Sequence, residues 1–553
     1  MTTHDRPTPS ATDTHVVENQ SPPIPVRDAF AADVPLVEAV ARHGADHHTD
    51  RLRTLGRAAG SPQWRERGLE ANRDLPRLRT HDRYGNRVDE VAFHPAWHEL
   101  MSFSVDWGLH ADPWTSGEKG AHVARAAGFI TWTQIEPGHL CPVSMTYAAV
   151  PALRRAADTE AWIAGLSSRS YDFGLRPPDR KTGLVAGMAM TEKQGGSDVR
   201  ANTTTARPVG DDTYLLTGHK WFCSAPMSDV FLVLAKAPAG ITCFLVPRVL
   251  PDGTRNTFRI QRLKDKLGNR SNASSEIEFA DTVGLRLGAE GRGIRTIVEM
   301  VSATRLDCVL GATGLMRGAV SQAVWHAQNR TAFGSALYDK PLMRNVLADL
   351  AVETEASTAL AIRLAAAVDA AESGDEAERL LRRIALPAAK YWTTKRSIAV
   401  TAEALECLGG NGYAEESGMP LLFREAPVNS VWEGSGNVNA LDLLRAISRE
   451  EGALDALLQE LGAATGVDDR YDLAVRSLLA EFADLDELEY RARRLAGRIA
   501  VLLQAAQLIK YSPDGIADAF VATRVAGDHV TQFGTLPRGT DLSTILSRAD
   551  PLE

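Results

Sequence analysis

Apolar positions recur along this chain in two rhythms. Val309, Thr313, Met316, Val320 and Val324 are spaced by three and four residues, the period that lines one face of an α-helix. Ala/Leu-rich stretches over about 341–372, 376–408 and 438–449 predict further long helices, and about 453–530 predicts a last helical block. From Met188 to about Val283 the period drops towards two. Segments 213–217, 230–234 and 241–246 are short, rich in β-branched and aromatic residues, and bounded by Gly, Pro or Asp. That texture predicts strands of a compact sandwich or barrel. Earlier, residues up to about 185 read as helices broken by loops such as 83–87, behind a polar Pro/Ser/Thr-rich leader. Strands do not alternate with helices, which excludes a doubly wound α/β fold. The predicted fold is mainly α with a central β-domain. It comprises a flexible polar leader 1–30, an N-terminal helical domain 31–187, a β-domain 188–285, a second helical domain 286–449 and an appended C-terminal helical extension 450–553.

Composition changes this picture only at its edges. With 553 residues, 44% hydrophobic and 24% charged, the chain can fill several cores and is not a disordered polymer. Its formal charge of −9 excludes a basic coat over the whole surface, although not a local basic patch. The apolar run 499–509 is too short to span a bilayer, contains Gln504 and Gln507, and predicts a buried helix. No 7–15-residue apolar stretch occurs in the first thirty residues, so no secretory signal is expected. The five cysteines lack any CxxC pair, which argues against a disulfide framework or zinc ribbon. His43, His47 and His48 have no acidic or cysteine ligand at a useful spacing, so no metal is expected. A soluble, cytoplasmic protein without membrane contact is the expectation.

The stretch opening the β-domain, Met188, Ala189, Met190, Thr191, Glu192, Lys193, Gln194, Gly195, Gly196, Ser197, Asp198, combines paired glycines with hydroxyls and amides. Glycine lets backbone approach a ligand, and hydroxyls donate to carbonyl or phosphate oxygens; a plain polar turn would look the same. Next come Gly218, Lys220, Trp221, Phe222, Cys223 and Ser224, where an aromatic could wall a planar ring or simply fill a core. Together these two motifs resemble the paired flavin-binding signatures of the acyl-CoA dehydrogenase family. Further landmarks follow in order: Lys266-Leu267-Gly268-Asn269-Arg270-Ser271, Arg330-Thr331-Ala332-Phe333-Gly334 and Leu408-Gly409-Gly410-Asn411-Gly412-Tyr413. Lys193 in place of the more usual proline resembles the AidB branch. So do Phe93-His94-Pro95-Ala96-Trp97-His98, the run 263–274, Val431-Trp432-Glu433-Gly434-Ser435-Gly436-Asn437, and the appended C-terminal domain.

The resemblance implies a homotetramer binding FAD between the β-domain and the second helical domain. It places the flavin ring and ribityl chain on residues 188–197 with Phe222, Cys223 and Ser224. The segment Val431, Trp432, Glu433, Gly434, Ser435, Gly436, Asn437 to Leu441 would close over the cofactor. Arg330, Phe333, Gly409 and Gly410 would reach the adenosine diphosphate half, commonly from a neighbouring subunit. Glu433 occupies the position that supplies the base taking a proton from Cα of an acyl-CoA in several relatives. A bare carboxylate there would otherwise read as a surface or ion-paired group. Arg445, twelve residues on, is associated in the AidB branch with a narrowed acyl pocket. Near Glu433 it would lower the pKa of that base, which predicts weak dehydrogenase activity or an unusual substrate. Its other reading is a cation favoured by the end of a helix dipole.

The resemblance also implies a link to the DNA alkylation response through the C-terminal domain. Residues 451–553 hold 10 Lys/Arg against 17 Asp/Glu, so most of the chain's negative balance lies where DNA is expected. Arg491, Arg494 and Arg498 fall on one helix face, either as a local basic row or as a solvated helix surface. No sequence-reading motif accompanies them. Two functions therefore stand: a flavoenzyme acting on an acyl-CoA-like substrate, and a DNA-associated protective flavoprotein with vestigial catalysis and non-specific duplex binding.

Overall fold

The computed structural model describes residues 14–484 and 486–552. Residues 1–13 of the expected leader lie outside that range. From Asn19 the leader is packed rather than loose: Ile24, Ala29 and Phe30 are buried, the last two in the same apolar core as Leu36, Leu52 and Leu55. The N-terminal domain is also not purely helical. Strands β1 (Arg77–His81) and β2 (Arg87–Ala92) pair antiparallel, so the loop at 83–87 belongs to a hairpin turn. Asp82 closes it by accepting from the backbone N–H groups of Tyr84 and Asn86, the turn chemistry of an aspartate.

The β-domain contains β3 (Ala186–Ala189), β4 (Thr205–Gly210), β5 (Thr213–Ser224), β6 (Val230–Ala237), β7 (Gly240–Pro247), β8 (Phe258–Leu263) and β9 (Ser274–Leu287). Strands β6, β7, β9, β5 and β4 are neighbours in turn, and β4 meets β6 again through Thr205 and Lys236. The pairings therefore close into a ring, with β3 added to β6 and β8 to β9. Strand β6 departs from period two because both of its faces are covered. Phe231, Val233 and Ala235 enter the barrel core, while Val230, Leu232 and Leu234 pack against a buried helix outside it.

That helix is α2 (Leu140–Leu153), which follows α1 (Ala121–Thr133). Beyond the barrel come α3 (Gly293–Asn329), about 55 Å long at 1.5 Å per residue, then α4 (Pro341–Glu372), α5 (Glu376–Cys407), α6 (Met419–Val431) and α7 (Gly436–Arg449). A buried, bidentate Arg125–Asp307 pair ties α1 to α3. The extension holds α8 (Asp469–Ala483), α9 (Leu488–Tyr511) and α10 (Leu542–Ala549). It is docked, not tethered: Gln504 bonds Ser357 of α4, Arg524 pairs with Asp349 and Glu353, and Arg548 with Glu38 and Glu355. All five cysteines are free and buried. Among the described residues, no helix is long and apolar enough to cross a membrane.

Candidate functional site

Between α6 and α7 runs the turn that carries Glu433. Glu433 has φ +56° and Gly434 φ +95°, both in the left-handed region, which costs a glutamate of order 1–3 kcal/mol. Side chains from distant elements cap the carbonyls of this turn. Lys390 Nζ donates to the carbonyls of Trp432 (2.8 Å) and Gly434 (2.6 Å), and Arg305 Nε to that of Glu433 (2.9 Å). Asn439 Nδ2 donates to the carbonyls of Gly434 (2.6 Å) and Ser435 (3.1 Å). The turn is thus held in its strained shape with the Glu433 carboxylate accepting from Thr304 Oγ1 at 2.7 Å. Burial raises the Glu433 pKa above the ordinary carboxylate range; Thr304, Lys390 and Arg305 oppose that shift and Asp307 adds to it. Burial also brings Lys390 down to about 8.

Arg445 does not take the part expected of it. The buried face of α7 is Asn439, Ala440, Leu443 and Ala446, which leaves Arg445 on the exposed side. Its side chain makes no hydrogen bond or ion pair among the described residues. The cations at Glu433 are instead Lys390 and Arg305, and the pKa moves up rather than down. Sequence reasoning missed both, along with Thr304. Lys390 had a signal, a lone cation inside the apolar run 384–392; Thr304 and Arg305 had none, since folding alone brings them across more than 120 residues.

On the β-domain side, Met188 and Met190 pack on the same apolar cluster as Trp432, while Ala189 points into the barrel. The loop after β3 turns tightly, with Glu192 and Gly195 exchanging backbone bonds. Thr191 is half-buried, and Lys193, Gln194, Gly196 and Ser197 are exposed around that turn. The backbone N–H of Trp221 donates to Thr191 at 2.8 Å and joins the two motifs. Phe222 is half-exposed; Ser224 Oγ lies 3.0 Å from Ser274 Oγ, which also accepts from Lys266 Nζ at 2.9 Å. Cys141 of α2 is within electrostatic reach of both Lys266 and Glu433. Burial lifts its thiol to about 12, with Lys266 opposing and Glu433 and Glu425 adding.

Two residues expected to face the cofactor face inward. Glu192 is sealed by Lys220 Nζ at 2.8 Å, Thr203 N at 2.6 Å and Gln194 Nε2 at 2.7 Å. Burial would raise its pKa, but Lys220 and these hydrogen bonds prevail and bring it to about 2. Its work is to shape the loop. Cys223 alternates with exposed Phe222 along β5 and so points into the core, where burial lifts its thiol to about 12.

A second group of expected residues lies apart. After α3 the chain forms a minimal hairpin, β10 (Thr331–Ala332) and β11 (Ser335–Ala336), turned by Phe333 at φ +52° and Gly334 at φ +85°. Phe333 is 96% exposed there. Arg330 donates from Nη1 to the carbonyl of Asn19. Gly409 has φ +60°, and no atom would crowd a Cβ built on Gly409 or Gly410, so bare backbone faces open space. No hydrogen bond or ion pair among the described residues joins this group to the Met188–Ser224 side. Of the remaining closing segment, Val431 and Asn437 are exposed, Ser435 and Leu441 are partly buried, and Gly436 packs against Lys395 and Tyr391. Arg493 of α9 reaches Asn437 Oδ1 at 3.5 Å, so the C-terminal extension touches this turn. The donor set fits a flavin dinucleotide: hydroxyls and an open aromatic on one side, a guanidinium and glycine backbone on the other.

A crevice of about 890 Å³ opens among the start of α3, α5 and the end of α7. Eight arginines and two glutamates line it, and Arg200, Arg292, Arg295, Arg382 and Arg449 have no carboxylate partner among the described residues. Its Arg383 shares Asp442 with Arg305, the residue that caps the Glu433 carbonyl.

The basic row of the extension is spent internally. Arg494 and Arg498 both pair with Glu481, and Arg491 pairs with Asp484 and donates to the carbonyls of Glu481, Asp484 and Asp486. The three arginines fasten the end of α8 to α9, and of them Arg494 remains largely exposed.

Residues 19–173 match the family described as adaptive response protein AidB N-terminal domain. Residues 187–282 and 291–448 match the acyl-CoA dehydrogenase middle and C-terminal domains. The chain is 46% identical to the AidB protein of Escherichia coli (strain K12) over 92% of its own length and 94% of the relative's. It superposes on Caenorhabditis elegans ACDH-11 in complex with C11-CoA with a TM-score of 0.83 at 26% identity, covering 98% of this chain and 94% of that one. A glutaryl-CoA dehydrogenase from Mycobacterium smegmatis in complex with FADH2 shares the fold, with TM-score 0.54 at 21% identity over 64% of this chain and 86% of that one.

Proposed function

The chain belongs to the acyl-CoA dehydrogenase family, in its AidB branch, and its cofactor is FAD; from that premise we propose that it oxidises an acyl-CoA-type thioester with Glu433 as the base. The observation that carries this reading is the Glu433 turn. A carboxylate whose basicity is raised by burial, held by one hydrogen bond and aimed by three capping side chains, suits removal of a proton from Cα. Bound FAD supplies the acceptor for the hydride that leaves Cβ. Lys390 and Arg305 keep the turn's backbone fixed while the proton moves, and the Met188, Met190 and Trp432 cluster excludes water beside it. The arginine-lined crevice supports a substrate with several negative charges, as the nucleotide end of coenzyme A carries. Arg445, the residue behind the expectation of weak activity, lies on the exposed side of α7.

The separation of Arg330, Phe333, Gly409 and Gly410 from the Met188–Ser224 side supports a tetramer in which these residues reach a neighbouring copy's cofactor. A link to the alkylation response through duplex DNA loses its best local support, because Arg491, Arg494 and Arg498 are already paired. Binding of DNA by these arginines would compete with Glu481 and Asp484 and would fall steeply with salt. Anaerobic titration of the holoprotein with acyl-CoA thioesters of graded length tests the proposal: bleaching of the flavin by at least one thioester supports it. A flavin that stays oxidised across the panel, yet is reduced by dithionite, would contradict it.

A further inference from the structure

The segment Asn19 to Pro22 precedes every predicted element, yet it is bonded to the hairpin after α3. Asn19 makes paired bonds with Thr331: its Nδ2 donates to the Thr331 carbonyl at 2.9 Å, and its Oδ1 accepts from the Thr331 backbone N–H at 2.8 Å. The Thr331 hydroxyl adds a third bond to Oδ1 at 2.8 Å, and the Asn19 carbonyl accepts from Arg330 Nη1. Asparagine suits this place, since Asn19 has φ +54° and short polar residues tolerate that conformation better than others. Both sides of the contact are anchored. Trp325 of α3 donates from Nε1 to the carbonyl of Pro22 at 2.7 Å, and Ile24 is buried. Gln20 Oε1 lies 3.4 Å from Asn411 Nδ2, directly after Gly409 and Gly410.

One short strap therefore touches both the arginine hairpin and the glycine turn. We propose that Asn19 is a positioning residue of the FAD site: it fixes Arg330 and the adjoining turn for the diphosphate–adenosine half of the cofactor. This rests on the reading that Arg330, Gly409 and Gly410 hold that half. A guanidinium has five N–H donors, and the strap engages one of its nitrogens while leaving the others for phosphate oxygens. Arg330 sits at the end of a long helix on a partly exposed hairpin. Without the strap, ordering its side chain would have to be achieved when the cofactor binds, which weakens affinity.

The test measures dissociation constants of FAD and FMN for the full chain, stripped of cofactor and reconstituted, by flavin fluorescence. FMN has no adenosine half. Asn19→Gly keeps the left-handed backbone and removes the side-chain bonds; Trp325→Phe removes the Pro22 tether. Both are expected to weaken FAD about tenfold and to leave FMN within twofold. A general structural defect would weaken both flavins alike and would overturn the proposal. Arg330→Ala separates the two layers of inference. If it weakens FAD while the Asn19 and Trp325 variants do not, the strap is refuted and the reading of Arg330 stands. If Arg330→Ala leaves FAD affinity unchanged, the reading beneath the strap fails.

Discussion

Glu192 is fully buried and Glu433 partly buried, and the fold treats these two glutamates in opposite ways. Glu192 is surrounded by donors: a lysine of equal burial, two backbone N–H groups and an amide, which bring its pKa to about 2. Glu433 is given one hydroxyl, two cations engaged mainly with its backbone neighbours, and a pKa moved upward by burial. The first carboxylate is locked as an anion and cannot exchange a proton at ordinary pH. The second is left basic and singly bonded. Burial does not decide what a carboxylate does; the donors buried with it do.

The strongest way to break this contrast is to remove the Glu192 partner. Lys220→Met leaves a charge buried without its counter-ion and should cost about 3–5 kcal/mol, read as a fall in the urea midpoint of the β-domain. The same pair predicts an acid limb in stability. The folded pKa of Glu192 is depressed below its ordinary 4.5, so its contribution of about 3 kcal/mol is present above that pH and is lost as pH falls towards 2. In Lys220→Met that limb should flatten; an unchanged acid profile would show that Lys220 does not hold the charge. A smaller effect is expected at the other glutamate. Thr304→Val removes the one bond to the ionised form, so the acid limb of kcat/KM should move to higher pH by about one unit. Smallest of all is Arg445→Ala. An exposed side chain without partners among the described residues should leave that pH profile in place, whereas an acid limb moved to higher pH in the variant would restore its supposed role beside Glu433.

Much of this architecture was legible because long helices and a two-period stretch write themselves into apolar spacing. The AidB resemblance read from the motifs is borne out by the 46% identity across nearly the whole chain. What escaped is instructive in physical terms. Strand β6 breaks alternation because helix α2 covers its outer face, a fact of tertiary packing. The hairpin at 77–92 hid among helical neighbours, with only an aspartate-led turn to mark it. A row of arginines at helical spacing reads as a basic face, but the spacing does not show that Glu481 of the preceding helix pairs with two of them. Arg445 was placed correctly on its helix, but the side that helix buries depends on neighbours that spacing cannot supply. Lys390, alone in an apolar helix, was visible as an anomaly. Its target, the carbonyls of Trp432 and Gly434, was not.

The central claim is that Glu433 is the base. The most direct measurement is solvent deuterium exchange at Cα of a thioester whose β-carbon carries no hydrogen, so that proton removal is observed without oxidation. The wild-type holoprotein should exchange that position, and Glu433→Gln, with FAD still bound, should lose about 10²–10⁴-fold in rate. Exchange that continues unchanged in the flavin-loaded Glu433→Gln variant would contradict the account.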